Sequence, residues 1–174
     1  MSSKSSLACT ATMLLLIVPS TFGRRVENWP YERLFKEAEM VVLARATSCA
    51  DSGEKVKHKD WSTEFLGVNK SFEVLHVLKG KAAGKQLSVF HLRCPTGVKI
   101  ENGPGFVSFR LKGLAIEGEH GKMETSKPTY MLFLKKSKDG RWEAVSGQID
   151  PDQSIWELHS ARFSEVLDRI HNKD

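Results

Sequence analysis

The clearest structural signal in the chain is YMLFLKKSKDGRWEAVS, residues 130–146. Its first part, Tyr130–Leu134, is the most apolar segment beyond the amino terminus, and a second short segment, Arg141–Ser146, follows across Asp139-Gly140. An Asp-Gly pair between two such segments favours a β-hairpin, because glycine readily adopts the positive φ of a tight turn. The sequence therefore predicts two antiparallel strands here.

Further strands are predicted from apolar and β-branched segments. Residues 40–47, MVVLARAT, read as a short buried strand. Residues 63–78 contain a second strand, which Asn69-Lys70 either splits in two or interrupts with a bulge. Residues 86–93 and 106–111 alternate in the manner of a third and a fourth strand, and residues 154–158 suit a short edge strand.

Helices are predicted at both ends of this strand-rich region, and two long loops within it. Pro30 precedes a helical pattern over Tyr31–Glu39, because proline suits a first helical turn. After Ser160, apolar residues recur at helical spacing up to Ile170 and predict an amphipathic helix. Residues 94–105 and 112–127 are rich in glycine, proline or charge and are expected to be loops. The predicted fold is mainly β, a small antiparallel barrel of five to six strands, since closure removes exposed strand edges.

The amino terminus has the layout of a secretory signal. Lys4 is the only charged residue in residues 1–23, an apolar stretch runs from Leu7 to Pro19, and small residues precede Arg24. The apolar run is shorter than the roughly 20 residues of a membrane-spanning helix, although a retained anchor stays an alternative. We expect cleavage after Gly23, leaving residues 24–174 as one domain that is secreted or periplasmic, with no stable membrane span.

Cleavage would leave two cysteines, Cys49 and Cys94. In an oxidising compartment an even pair is a candidate disulfide, and each cysteine ends a predicted strand. The alternative is two unpaired thiols.

Three segments of the chain resemble the OB-fold of netrin-like modules, the group that includes the tissue inhibitors of metalloproteinases. They are EAEMVVLARA (37–46), SFEVLHVLKG (71–80), and YMLFLK with DGRW (130–135 and 139–142). With GQIDP (147–151) the chain is more similar still to small exported bacterial proteins of unknown function. The resemblance implies an OB-like barrel. It implies no inhibitory site, because Arg24-Arg25-Val26 stands where those inhibitors carry Cys-x-Cys.

No residue pattern points to catalysis, a metal ion or another cofactor. The histidines lack metal-ligand spacing, and the acidic run that begins at Asp150 lacks the glycine and glutamate of a calcium loop. His91 and Cys94 lie three apart, which places them on opposite faces of a strand. The six histidines are His58, His76, His91, His120, His159 and His171.

Basic residues alternate with acids in the predicted turns, and this favours solvated turns over a nucleic-acid partner. A second possibility is that aromatic and basic side chains form a platform on which bases or sugars stack. In the alternative that we favour, the phenylalanines of that set face the core. The set is Trp61, Phe65, Lys70, Phe72, Phe90, His91 and Arg93.

We therefore expect a non-enzymatic binding module that recognises an unknown protein or surface polymer through loops 94–105 and 112–127. The alternatives are an exported enzyme with its site at the barrel mouth, near His76, His91 or Asp150, and a structural component of the cell envelope.

Overall fold

The computed structural model describes residues 24, 26–59, 61–101, 103–109, 111, 114–117 and 123–158. The expected signal segment, residues 1–23, and the expected C-terminal helix lie outside these residues. No helix within the described part of the chain has the length and apolar character needed to span a bilayer.

The described residues form a mainly β structure with one short α-helix. In chain order the elements are α1 (Tyr31–Glu37), β1 (Met40–Lys57), β2 (Glu64–Lys79), β3 (Gln86–Arg93), β4 (Leu114–Glu117), β5 (Met123–Ser126), β6 (Thr129–Lys136), β7 (Trp142–Ala144), a 3-10 turn (Pro151–Ser154) and β8 (Ile155–Glu157). The predictions of the first helix, the third strand, the Asp139-Gly140 hairpin and the short edge strand are confirmed.

Six of these strands form one sheet that curls partly into a ring. The strand order is β1-β2-β3-β7-β6-β8, and β1 also pairs with β6, which brings the two ends of the five-strand run together. Every pairing in this sheet is antiparallel except that of β3 with β7, which is parallel and consists of the single pair Val89–Trp142. The expectation of a wholly antiparallel barrel is therefore wrong at this seam.

The first two strands are longer than the sequence predicts. Asn69-Lys70 neither splits nor ends β2, because both residues pair with β1 on one side and β3 on the other. β1 continues past Thr47 to Lys57 as an arm that is exposed over most of its length. A register shift between Asp51 and Lys55 bends this arm, with Gly53 at a φ of +79°.

Two predictions about the middle of the chain are wrong. Residues 106–109, expected to begin a fourth strand, pair with no strand among the described residues; instead the Phe109 side chain inserts into the core. Its ring centroid lies 5.1 Å from that of Phe72 and 5.3 Å from that of Tyr130. Residues 112–127, expected to be loop, contain β4 and β5, which pair in a separate two-stranded sheet.

The core divides into an inner cluster and two clusters on the outside of the ring. The inner cluster lines the ring with alternating residues, including Val42, Phe72 and Val89. The first outer cluster packs α1 against β6 and β8 through Leu34, Phe133 and Trp156. Lys79 holds the end of α1, because its Nζ donates to the Phe35 carbonyl oxygen at 2.6 Å. The second outer cluster covers β2 and β3 and belongs to the candidate site.

Candidate functional site

The outer face of β2 and β3 is covered by an aromatic cluster. Phe65, Phe90 and Leu92 form its buried centre. The connection after β3 packs onto it, with the Phe106 ring centroid 5.2 Å from that of Phe65. The Arg141 guanidinium lies 3.9 Å from the centroid of the Phe90 ring. Phe65 and Phe90 are therefore buried on this face, and Phe72 is buried inside the ring, so the core alternative is right and the stacking platform is wrong.

The loop at residues 94–105 is attached at both ends and exposed between them. Cys94 and Ile100 pack against the aromatic cluster, whereas Thr96, Gly97, Val98 and Lys99 are exposed. Val98 keeps 40% of its surface accessible although it is apolar. The four residues 96–99, here called the loop tip, thus project from a supported base.

An ion pair fixes the far end of this loop to the rest of the chain. The Arg24 guanidinium donates to both carboxylate oxygens of Asp150 at 2.5 Å, and the Gly105 amide donates to Asp150 Oδ1 at 3.0 Å. Burial alone would raise the pKa of Asp150, but the bonds from Arg24 and Gly105 and the charge of Arg24 together lower it. The Asp150 carboxylate therefore joins Arg24 to the far end of the loop.

A cleft of about 260 Å³ lies beside the single-pair seam between β3 and β7. Its polar lining comprises Asn69, Gln86, Ser88 and Arg141, and Phe90 and Trp142 contribute aromatic surface. Arg141 already forms ion pairs with Glu54 at 2.6 Å and Asp139 at 2.5 Å. Because its charge is compensated, this cleft presents amides and a hydroxyl more than a net charge.

A second, shallower cleft lies at the tip of the β1–β2 hairpin and borders the start of the 94–105 loop. Its volume is about 520 Å³, and its lining includes Lys55, Lys57, Glu64 and Pro95. Pro95 brings the 94–105 loop to this second cleft, whereas no described residue of that loop lines the first one.

Two basic residues, Lys70 and His91, have their side chains on the inner face of the ring. Lys70 is 3% exposed and His91 is 7% exposed. Burial lowers the pKa of Lys70, and burial together with the charge of Lys70 lowers that of His91 to about 4. His91 is therefore neutral at physiological pH. Neither of its ring nitrogens has a hydrogen-bond partner among the described residues.

The expected disulfide is not formed, and Cys49 and Cys94 are free thiols. Cys49 pairs with Lys70 across β1 and β2, while Cys94 follows the end of β3, on the other side of β2. Because β2 lies between them, β1 and β3 are two strand spacings apart, which is about 9.5 Å. The Cα atoms of a disulfide must lie within about 7 Å of each other. The register therefore separates these two cysteines.

The structure does not bring the residues of the predicted enzyme site together. His91 is inside the ring, His76 is exposed on β2, and Asp150 lies at the loop anchor; none of them lines either cleft. No three metal-ligating side chains cluster within the described residues. No protein-family model, curated protein or solved structure matches the chain.

Sequence reasoning missed the Arg24–Asp150 anchor, because 126 residues separate the two partners. It also missed the inward position of Lys70, although a signal was present. Lys70 alternates with Val68 and Phe72, both buried, and so shares their face of β2.

Proposed function

We propose that the chain is an exported, non-enzymatic binding module with an OB-like barrel. Two structural features support the fold. Five strands follow the order β1-β2-β3-β7-β6 and return to β1, and the ring is weakest at the parallel seam. A five-stranded, partly open barrel is characteristic of OB-folds. Export is inferred from the signal-like residues 1–23.

The binding surface that we propose is the 94–105 loop together with the β4–β5 hairpin at residues 112–127. OB-folds commonly bind ligands on the face of their second and third strands. Here the corresponding face is filled by the aromatic cluster and covered by the loop. The observation that carries the proposal is the exposed loop tip, which is supported at its base and anchored through Asp150.

A protein or a surface polymer is the partner class that this surface suits. The loop tip combines an exposed apolar side chain, Val98, with the charge of Lys99. A projecting loop on a rigid scaffold is a common way to contact a large partner, because the scaffold limits the entropy lost on binding. We place no catalytic residue and no cofactor at this surface.

The test is co-sedimentation of purified chain 24–174 with envelope material from the source organism. One variant replaces residues 96–99 with Gly-Ser-Gly-Ser, and a second replaces residues 114–126 with a short linker. The matched control changes two exposed lysines in the β2–β3 turn, K81S and K85S, which lie outside the loop and both clefts.

We expect Kd to rise at least about tenfold in one or both loop variants, a loss of roughly 1.4 kcal/mol of binding free energy. The control should bind as the parent does. Unchanged binding by both loop variants, with far-UV circular dichroism showing that they are folded, would contradict the proposed surface.

A further inference from the structure

Lys70 and His91 lie next to each other on the inner face of the ring. Lys70 on β2 is opposite Val89 on β3, and His91 on β3 is opposite Val68 on β2. The two residues are thus diagonal neighbours on one face, a relation in which Cβ atoms lie about 7 Å apart. Both side chains reach the same aromatic ring. Lys70 Nζ lies 5.6 Å and the His91 ring 5.4 Å from the centroid of Phe109.

The hydrogen-bonding capacity of this pair is not used by the described residues. No described carboxylate forms an ion pair with Lys70, and neither nitrogen of His91 has a partner there. A buried ammonium without a counter-charge is costly, and buried ring nitrogens normally have partners. The surroundings include the Phe109 ring and, opposite Lys70 on β1, Cys49.

We propose that this inner face binds a small anion between the Lys70 ammonium and the His91 imidazole. The anion would accept a hydrogen bond from Nζ and one from a ring N–H of His91. A metal cation does not suit the place, because Lys70 is positively charged. A water molecule would satisfy the hydrogen bonds but would leave the charge uncompensated.

Cys49, which pairs with Lys70, is exposed, so the inner face is close to solvent at this end of the ring. The ligand class is a chloride ion, an inorganic oxyanion or a small carboxylate. This site is separate from the loop surface, so the two proposals can fail independently.

The test is thermal unfolding of chain 24–174 in sodium chloride, phosphate, sulfate or acetate. Ionic strength is held constant with gluconate, which is too bulky for a buried site. At about 100 times its Kd, a bound anion should raise Tm by roughly 5 to 10 °C. K70M removes the charge and keeps the apolar stem, so it should abolish the increase. K57M, at an exposed strand lysine, is the matched control and should retain it.

A second measurement needs no variant. The ligand that raises Tm should also slow the labelling of Lys70 by a small amine reagent, read by peptide mass spectrometry, while labelling of Lys57 stays unchanged. The identity of the stabilising salt distinguishes a halide, an oxyanion and a carboxylate. Equal Tm increases with every anion, or an increase that survives in K70M, would overturn the proposal. So would unchanged labelling of Lys70.

Discussion

Acid should destabilise this protein through His91 before it affects the carboxylates. The pKa of this histidine is lowered in the folded state to about 4, against 6.5 when it is exposed, because burial and the neighbouring Lys70 disfavour the imidazolium. Between these two values the unfolded chain binds a proton that the folded chain does not bind. The stabilising contribution is therefore complete above about pH 6.5 and is lost as the pH falls toward 4.

The magnitude follows from the two pKa values. Their difference corresponds to about 3 kcal/mol of unfolding free energy, most of which should be lost between pH 7.5 and pH 4.5. The lowered pKa of a carboxylate affects the free energy of unfolding at a lower pH. The pKa of Asp139, held by hydrogen bonds from Arg141 and Ser137, is about 2, so that carboxylate loses its contribution only below its ordinary value of 3.8.

The assay is urea unfolding at several pH values between these limits, at constant ionic strength set with sodium gluconate, for the parent and two matched variants. H91Q removes the titrating ring from the inner face, whereas H76Q removes an exposed ring from β2. We expect the pH-dependent loss to fall below about 1 kcal/mol in H91Q and to remain in H76Q. An H91Q variant that loses as much stability as the parent over this range would refute the reasoning, whatever its stability at neutral pH.

Three further predictions concern the backbone, the anchor and the thiols. G80A should lower the free energy of unfolding by about 3 kcal/mol or more, because Gly80 has a φ of +79° and a Cβ there would collide with the Glu39 carbonyl oxygen. G53A is the control: Gly53 has the same φ but open space around it, so this variant should lose only about 1 kcal/mol. Urea unfolding measures both values. D150N should cost about 1 to 2 kcal/mol at pH 7, since it weakens a partly buried ion pair, and equal Tm values for parent and variant would contradict the anchor. Without reductant, Cys49 should react with a thiol reagent faster than the half-buried Cys94, and failure of both to react would indicate a disulfide.

The strands that the sequence could predict are those in which an alternating or apolar pattern coincides with strand pairing. Residues 86–93 alternate because one face lines the ring and the other lies under the aromatic cluster. The Asp139-Gly140 turn is determined by the local sequence, because it needs a residue with positive φ and Gly140 has a φ of +82°. Such features need no knowledge of distant residues.

The sequence predictions were wrong where strand pairing and side-chain burial do not occur in the same residues. The outer half of β1 is a strand because it pairs with β2, yet it buries little, so no hydrophobic pattern marks it. Phe109 shows the converse: the apolar pattern of residues 106–111 predicts a strand, and Phe109 is buried, but residues 106–109 pair with no strand in the described part of the chain. The Arg24–Asp150 anchor and the Lys70–His91 pair depend on register and topology, which one sequence leaves open.

The first described residues of the chain are held by some of the last. Arg24 pairs with Asp150, and the Tyr31 ring lies 6.2 Å from that of Trp156. A growing chain cannot make these contacts until residues near 156 have been synthesised, and connectivity of this kind slows folding. The chain therefore stays unfolded for longer as it leaves the ribosome. If the chain is exported as we propose, this delay keeps it in the unfolded form that a translocation channel accepts.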